Sequence, residues 1–397
     1  MGRDSTFEAA NIMNPMELDR ILESVIQGEA LRYKSVMELL ALEDRPSIEK
    51  VMATARELRT RYFGDGIFLY GFVYFSTFCR NHCSFCYYRK TNAESPRYRK
   101  TVEETLSIVR DLTEAGACLV DLTMGEDPFF HKPGSFDVLV RMIEAVKKEN
   151  PIAVMISPGV VPESVLDEFV RAGTDWFALY QETHNPDLFE SLRIGQSYLA
   201  RERLRLLAAR KGMLVEDGIL LGVGEDDHDR AHSFFTMRGS PISQARVMGF
   251  VPQPQTPLED RERPALDKEL LSVSIMRLLM PDRLIPASLD IDGIKGLSER
   301  LRAGANVVTS IIPAGRDLAG VSQHELDIAA GQRTIPAVKN VLKQLKLRPS
   351  SALEYEAWIS LRKERQRQTL DFNYADGYSG RPVTGTGSNV SRQACRN

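Results

Sequence analysis

A chain of 397 residues with 43% hydrophobic and 26% charged residues holds enough apolar material for a sizeable core and is ordinary for a globular protein. Its 51 basic and 54 acidic residues leave a formal charge of -3, so no cationic excess exists to neutralise phosphates or anionic lipid, and nucleic acid and membrane are poor expectations. The start MGRDSTFEAANIMNPMELDR has no apolar signal core, and no window approaches the ~20 apolar residues of a membrane helix, which predicts a cytoplasmic protein.

Taken in chain order, residues 1–66 read as a helical preface, with Leu18, Ile21, Leu22, Val25 and Ile26 on one apolar face and Ile48, Val51, Met52, Ala55, Leu58 and Tyr62 on another. From Ile67, short aliphatic and aromatic runs alternate with helix-period segments, the pattern of repeated β/α units around a parallel sheet. Strands are predicted at 68–75, 118–123, 152–157, 176–181, 215–221, 245–250, 284–288 and 306–310. The helix after the first strand is the clearest, because Thr101 and Glu104 make a capping box ahead of Val102, Thr105, Leu106, Val109 and Leu112. Further helices are expected at 136–148, 162–172, 199–210, 226–238, 266–279 and 294–302. The predicted fold is therefore a (β/α)8 TIM-type barrel over residues 67–320, whose lumen the N-terminal helices would seal. C-terminal helices follow over 321–370, near 323–330 and 335–346, and 371–397 reads as a disordered tail rich in Gly, Ser, Asn and Arg.

Three of the five cysteines crowd into Cys79-Arg-Asn-His-Cys83-Ser-Phe-Cys86, a poor disulfide framework and a good metal site, which points to a reducing compartment. The triplet follows the first strand, on the face where β/α barrels place their active sites. A cubane cluster normally takes four thiolates, so three on one loop would leave one iron open to a ligand. Structural zinc with His82 as the fourth ligand is the alternative, although adjacent His82 and Cys83 would strain a tetrahedral site.

The C-x3-C-x2-C spacing, with an aromatic residue before the third cysteine, resembles the signature of the radical S-adenosylmethionine superfamily. That resemblance implies a [4Fe-4S] cluster on Cys79, Cys83 and Cys86, with S-adenosylmethionine chelating the free iron and yielding a 5'-deoxyadenosyl radical on reduction. Met124-Gly125-Glu126-Asp127-Pro128 resembles the family's Gly-Gly-Glu motif with Met in place of the first Gly, which implies cofactor contacts at Gly125 and Glu126. Ser157, in Ser-Pro-Gly, offers a hydroxyl near the ribose or makes an ordinary turn. Similarity to the biotin-synthase-like branch implies that Glu182 contacts the cofactor and that Arg201 pairs with its carboxylate, unless Arg201 lies on a solvated helix face with Arg203 and Arg205. Gly222, in Gly218-Ile-Leu-Leu-Gly-Val-Gly-Glu225, matches a segment that supports adenine in this family.

Longer strings, FSTFCRNHCSFCYYRK, LVDLTMGEDP, ALYQETHNPDLFESLRIGQS, VEDGILLGVG, RVMGFVPQPQTPLE, LIPASLDIDGI and AGANVVTSI, make residues 70–312 similar to the 3-methylornithine synthase family of pyrrolysine biosynthesis. That family's reaction implies L-lysine as substrate, rearranged to (3R)-3-methyl-D-ornithine, and a reducing donor such as flavodoxin or ferredoxin. The substrate groups it implies are Asp121, Arg246, Ser288 and Asp290, two carboxylates, a guanidinium and a hydroxyl that suit a diamino acid. Asp121 sits in the apolar run Leu-Val-Asp-Leu and needs a partner, which Arg246 could supply. Asp290 and Asp292 would share one face of a strand. The rival families are biotin synthase and the maturation enzymes of iron-only hydrogenase. Biotin synthase needs further cysteines for a second cluster, whereas only Cys118 and Cys395 remain here, and Cys118 suits a small buried hydrophobe. A zinc-stabilised binding scaffold is the non-enzymatic reading.

Overall fold

The computed structural model describes residues 13–132, 134–320 and 332–375. Eight apolar runs form parallel strands: β1 (Gly66–Ser76), β2 (Leu119–Met124), β3 (Ala153–Ser157), β4 (Trp176–Ala178), β5 (Leu214–Leu221), β6 (Gln244–Gly249), β7 (Pro286–Ser288) and β8 (Val307–Ile311). They neighbour one another in the order β6-β5-β4-β3-β2-β1-β8-β7. A bridge between Gln244 and Leu284, just ahead of β7, brings the two outer strands together into a nearly closed TIM-type barrel. Helices cover the outer face and side chains fill the lumen, so the strands read as continuous apolar runs rather than alternating ones. All 11 residues of β1 are buried.

The predicted helices form within a few residues of their expected ends, and the Thr101 capping box closes with Glu104 on the Val102–Ala115 helix. Several local readings need correction. Strand β4 ends at Ala178, because the backbone turns there to place Glu182 against Ile219 of β5 by a single bridge. A helix not anticipated, Pro186–Leu192, is started by Asn185, whose side chain accepts from the N–H groups of Asp187 and Leu188. The 294–302 helix breaks into a 3-10 turn, Gly293–Gly296, and the Leu297–Arg302 helix. Asp290 and Asp292 do not share a strand face, since Leu289–Asp292 is one helical turn that sends them to different partners. The helix expected at 323–330 lies outside the described residues.

The lumen is not sealed by the N-terminal helices. Pro15–Ile26, Tyr33–Leu40 and Arg45–Phe63 lie on the outside of the barrel, where Arg45–Phe63 packs along the Leu266–Leu279 helix. Just after the Leu297–Arg302 helix, Gly304 lets the same N-terminal helix come close to the barrel wall, because a Cβ there would sit 2.9 Å from the Ala55 Cβ. The N-terminal ends of the strands are closed instead by a C-terminal helix, Ala352–Ala375, which also carries the first residues of the expected tail. Along it Tyr355 meets Tyr70, Trp358 stacks on Trp176 with ring centroids 5.9 Å apart, and Gln366 donates to the carbonyls of Ala209 and Met213. Among the described residues no helix is long and apolar enough to cross a membrane.

Candidate active site

The C-terminal strand ends open into one cavity, lined among others by Cys79, Cys83 and Cys86 from the loop after β1, by Gly125 and Glu126 after β2, and by Ser157, Glu182 and Arg201. The cysteine loop has no regular secondary structure, so its backbone carbonyls need other donors. Arg97 supplies them, reaching the carbonyl oxygens of Thr77, Tyr88, Arg89 and Asn92. The Arg80 N–H donates to the Glu126 carbonyl at 2.9 Å and the Ser84 N–H to the Leu192 carbonyl at 2.8 Å, which ties the loop to both flanking segments. Burial pushes the Cys79 thiol up to about 11, and burial with the nearby Cys83 and Cys79 sulfurs pushes Cys86 up as well. Three thiolates crowded in this place repel one another, so a cationic centre is what would let them ionise together.

Gly125 is required by space. A Cβ there would lie 2.4 Å from the Phe78 carbonyl oxygen and 2.9 Å from the Cys79 Cβ. The Glu126 carboxylate accepts from the Val160 N–H at 2.9 Å and from Arg80 at 3.0 Å. Burial opposes its ionisation, but the Val160 hydrogen bond and the charges of His131, Arg201 and Arg80 hold it below the usual range. Glu182 adopts a left-handed backbone (φ 69°), which costs a non-glycine residue about 1–2 kcal/mol and is a kind of strain that gathers at functional sites. Its carboxylate pairs with Arg193, which opposes the upward push of burial.

Arg201 is buried at 2% exposure, which rules out the solvated-face alternative. It donates to the Tyr180 carbonyl and to Gln196, and burial with the charge of Arg193 lowers it to about 9. The Tyr198–Arg210 helix turns Arg205 inward beside it, onto Asp217, while Arg203 faces solvent and pairs with Glu163. Gly222 does not line the cavity. It makes the turn (φ 84°) in which Glu225 accepts from three successive N–H groups, those of Gly222, Val223 and Gly224.

The four expected substrate residues lie deeper, inside the barrel. Ser157, on the cavity wall, donates to Asp121 at 2.8 Å, so its hydroxyl is already engaged below the cavity. Arg246 does not pair with Asp121 but with Glu216 at 2.7 Å, and it reaches Thr309 of β8 at 2.9 Å, which from β6 is possible only across the lumen. Asp290 accepts from Tyr74 and Ser310 and pairs with Arg333 at 2.9 Å. Ser288 faces Ser310 at 3.3 Å. Asp292 is held separately by Arg263 and Arg300. Among the described residues, the lumen thus carries two ion pairs plus Asp121, one carboxylate in excess. Polar atoms buried there without a hydrogen-bond partner include Asp121 Oδ2, Arg246 Nη2 and both amide atoms of Gln244, which pairs with Glu216 in the sheet register.

Comparison with known proteins now bears on the same residues. Residues 73–236 match the radical SAM superfamily. The chain is 42% identical over 340 residues to 3-methylornithine synthase of Methanosarcina acetivorans, covering 86% of this chain and 96% of that one. This chain belongs to the 3-methylornithine synthase family of radical SAM enzymes. The crystal structure of methylornithine synthase (PylB) superposes with a TM-score of 0.80 at 41% identity, covering 85% of this chain and 99% of that one. The [FeFe] hydrogenase maturase subunit HydE of Thermotoga maritima is more distant, 31% identical over 291 residues, with 72% of this chain and 82% of that one covered.

Membership of this family implies a [4Fe-4S] cluster and S-adenosylmethionine, and the site fits both. Among the described residues no group of three or more His, Cys, Asp or Glu converges on a single point. The three thiols are instead set around a cavity, as a multi-iron cluster needs. Arg193 lines the same cavity, and its Nε is buried without a hydrogen-bond partner. Cys118 is a buried thiol donating to the Leu69 carbonyl, in keeping with a packing role, and Cys395 lies outside the described residues.

Sequence reasoning missed Arg193, Gln196, Glu216 and Arg333. Glu216 carried the same signal as Asp121, a charge within an apolar strand. Arg333 lies beyond the last barrel strand and is brought to Asp290 only by the fold.

Proposed function

We propose that the protein converts L-lysine to (3R)-3-methyl-D-ornithine, an intramolecular mutase reaction, in the cytoplasm, with a flavodoxin- or ferredoxin-type electron donor. The observation that carries this reading is that a carboxyl and a guanidinium in the lumen each have an orphaned atom, Asp121 Oδ2 and Arg246 Nη2. Buried polar atoms without partners are costly, so a ligand bearing both an ammonium and a carboxylate is what such a lumen is built to take. Asp121 holds a proton in the empty lumen up to about pH 8 and would ionise beside a bound ammonium, giving the lumen one net carboxylate for the net single positive charge of lysine. Cys79, Cys83 and Cys86 would hold the cluster, and Gly125, Glu126, Glu182 and Arg201 would line the S-adenosylmethionine site, with Arg201 suited to its carboxylate. Bound together, those groups supply a carbon radical that abstracts a substrate hydrogen atom.

The chain's own part is to orient and enclose. Ser157 and Tyr180 border the cavity and hydrogen-bond down to Asp121 and Glu216, so the cofactor wall and the substrate lumen share one layer of side chains. The C-terminal helix closes the far end, which keeps water from a reactive intermediate. The test is anaerobic turnover of side-chain-deuterated lysine with the reconstituted enzyme, dithionite and S-adenosylmethionine. A branched isomer of unchanged formula is expected. Cofactor cleavage with no lysine-derived product would overturn lysine as substrate.

A further inference from the structure

Between the Pro186–Leu192 and Tyr198–Arg210 helices, Gln196 places its amide between two arginines and a cluster cysteine. Its Oε1 accepts from Arg193 Nη1 and from Arg201 Nη1, each at 3.3 Å, and its Nε2 donates to Cys83 Sγ at 3.0 Å. The orientation of the amide is determined by this set. Exchanging oxygen and nitrogen would put the NH2 against two guanidiniums and the carbonyl oxygen against a sulfur that must be anionic to bind iron. The backbone holds the residue in place, since the Gln196 N–H donates to the Arg193 carbonyl at 2.9 Å.

The other cluster thiols are served differently. Cys79 Sγ receives the Asn81 N–H at 3.5 Å, a longer contact from its own loop. Cys83 is buried and takes side-chain donors from a different part of the chain, 113 residues away for Gln196, with Arg193 Nη1 behind it at 3.8 Å. A donor to a thiolate ligand withdraws charge from the cluster. It stabilises the reduced, more negative state more than the oxidised one, and in a buried site the effect is not screened by water.

We propose that Gln196 is a positioning residue that raises the reduction potential of the iron–sulfur cluster by donating a hydrogen bond to the Cys83 thiolate. The inference rests on the cluster assignment above. Gln196 is dispensable for ligation, so its loss shifts the potential without removing iron. The same amide touches Arg201, so the cluster and the expected S-adenosylmethionine carboxylate share one hydrogen-bond network.

The experiment compares full-length wild type with Gln196→Glu and Gln196→Met after anaerobic reconstitution, measuring iron and sulfide content and then the midpoint potential by EPR-monitored titration. Gln196→Glu keeps an acceptor for both arginines, loses the donor and adds a negative charge, whereas Gln196→Met loses donor and acceptor without adding charge. Full iron content with a lower potential in both variants is the expected result, and the larger shift should come from Glu, whose charge opposes the thiolate. Unchanged potentials in fully loaded variants would overturn the proposal. Failure of both variants to load iron would also overturn it, by making Gln196 an assembly residue. A wild-type protein that takes up no cluster would instead sink the cluster assignment itself.

Discussion

Replacing Asp121 with asparagine should remove a pH-dependent weakness from the barrel. Burial and the neighbouring Glu216 carboxylate raise the Asp121 carboxyl from its ordinary 3.8 to about 8, against the Ser157 hydrogen bond and the charge of Arg246. A rise of about four units corresponds to on the order of 5 kcal/mol at full effect. The folded protein therefore holds a proton that the unfolded chain has already lost at every pH between about 4 and about 8. Stability from this group is complete below about pH 4, falls as pH rises through the window, and levels off above about pH 8. Asparagine keeps the shape and an acceptor for Ser157 but does not titrate. Thermal melts of the two apo-proteins should therefore diverge with rising pH. Three pH units are worth about 4 kcal/mol, and a chain of this size loses about 1 °C per kcal/mol, so the variant's Tm should gain about 4 °C on wild type between about pH 5 and about pH 8. Parallel melting curves would mean that Asp121 is ionised throughout, and the argument from burial would be wrong.

Cys83→Ala should lose the cluster, seen as background iron content after reconstitution and no reductive cleavage of S-adenosylmethionine; retained iron at wild-type level would remove Cys83 from the ligand set. Gly125→Ala puts a methyl group 2.4 Å from the Phe78 carbonyl oxygen, so the cysteine loop must move. A stability loss of about 1–3 kcal/mol in denaturant melts and weaker S-adenosylmethionine binding by calorimetry are expected, and wild-type values in both would contradict the close approach. Arg193→Leu strips the buried Glu182 of its partner and should cost about 3–5 kcal/mol, read as a drop in Tm at neutral pH. Because Glu182 would then favour its protonated form, the deficit should shrink on acidification, and a deficit independent of pH would speak against an uncompensated carboxylate.

Much of the architecture was legible in the chain because parallel strands buried on both faces leave largely apolar runs, unbroken through most of β1 and interrupted by buried charges at Asp121 in β2 and at Glu216 and Asp217 in β5. The helix Ala352–Ala375 was not, since its contact face includes Arg362 and Gln366, which satisfy barrel carbonyls instead of adding to an apolar stripe. The short helix Pro186–Leu192 has too few turns to show a period.

At the site, the chain by itself determined what is local. The cysteine triplet, Gly125 with Glu126, and Asp121 within an apolar strand each declare their chemistry within a few residues, because ligand spacing, close backbone approach and the cost of a buried charge are short-range constraints. Partnership was decided only by tertiary structure. Arg246 took Glu216 of the neighbouring strand rather than Asp121, Asp290 took Arg333, and Gln196 reached Cys83, because charges and donors pair with whatever the folded chain brings beside them. Sequence distance carries no information about that, and so it could not have told which carboxylate would be left open for a ligand.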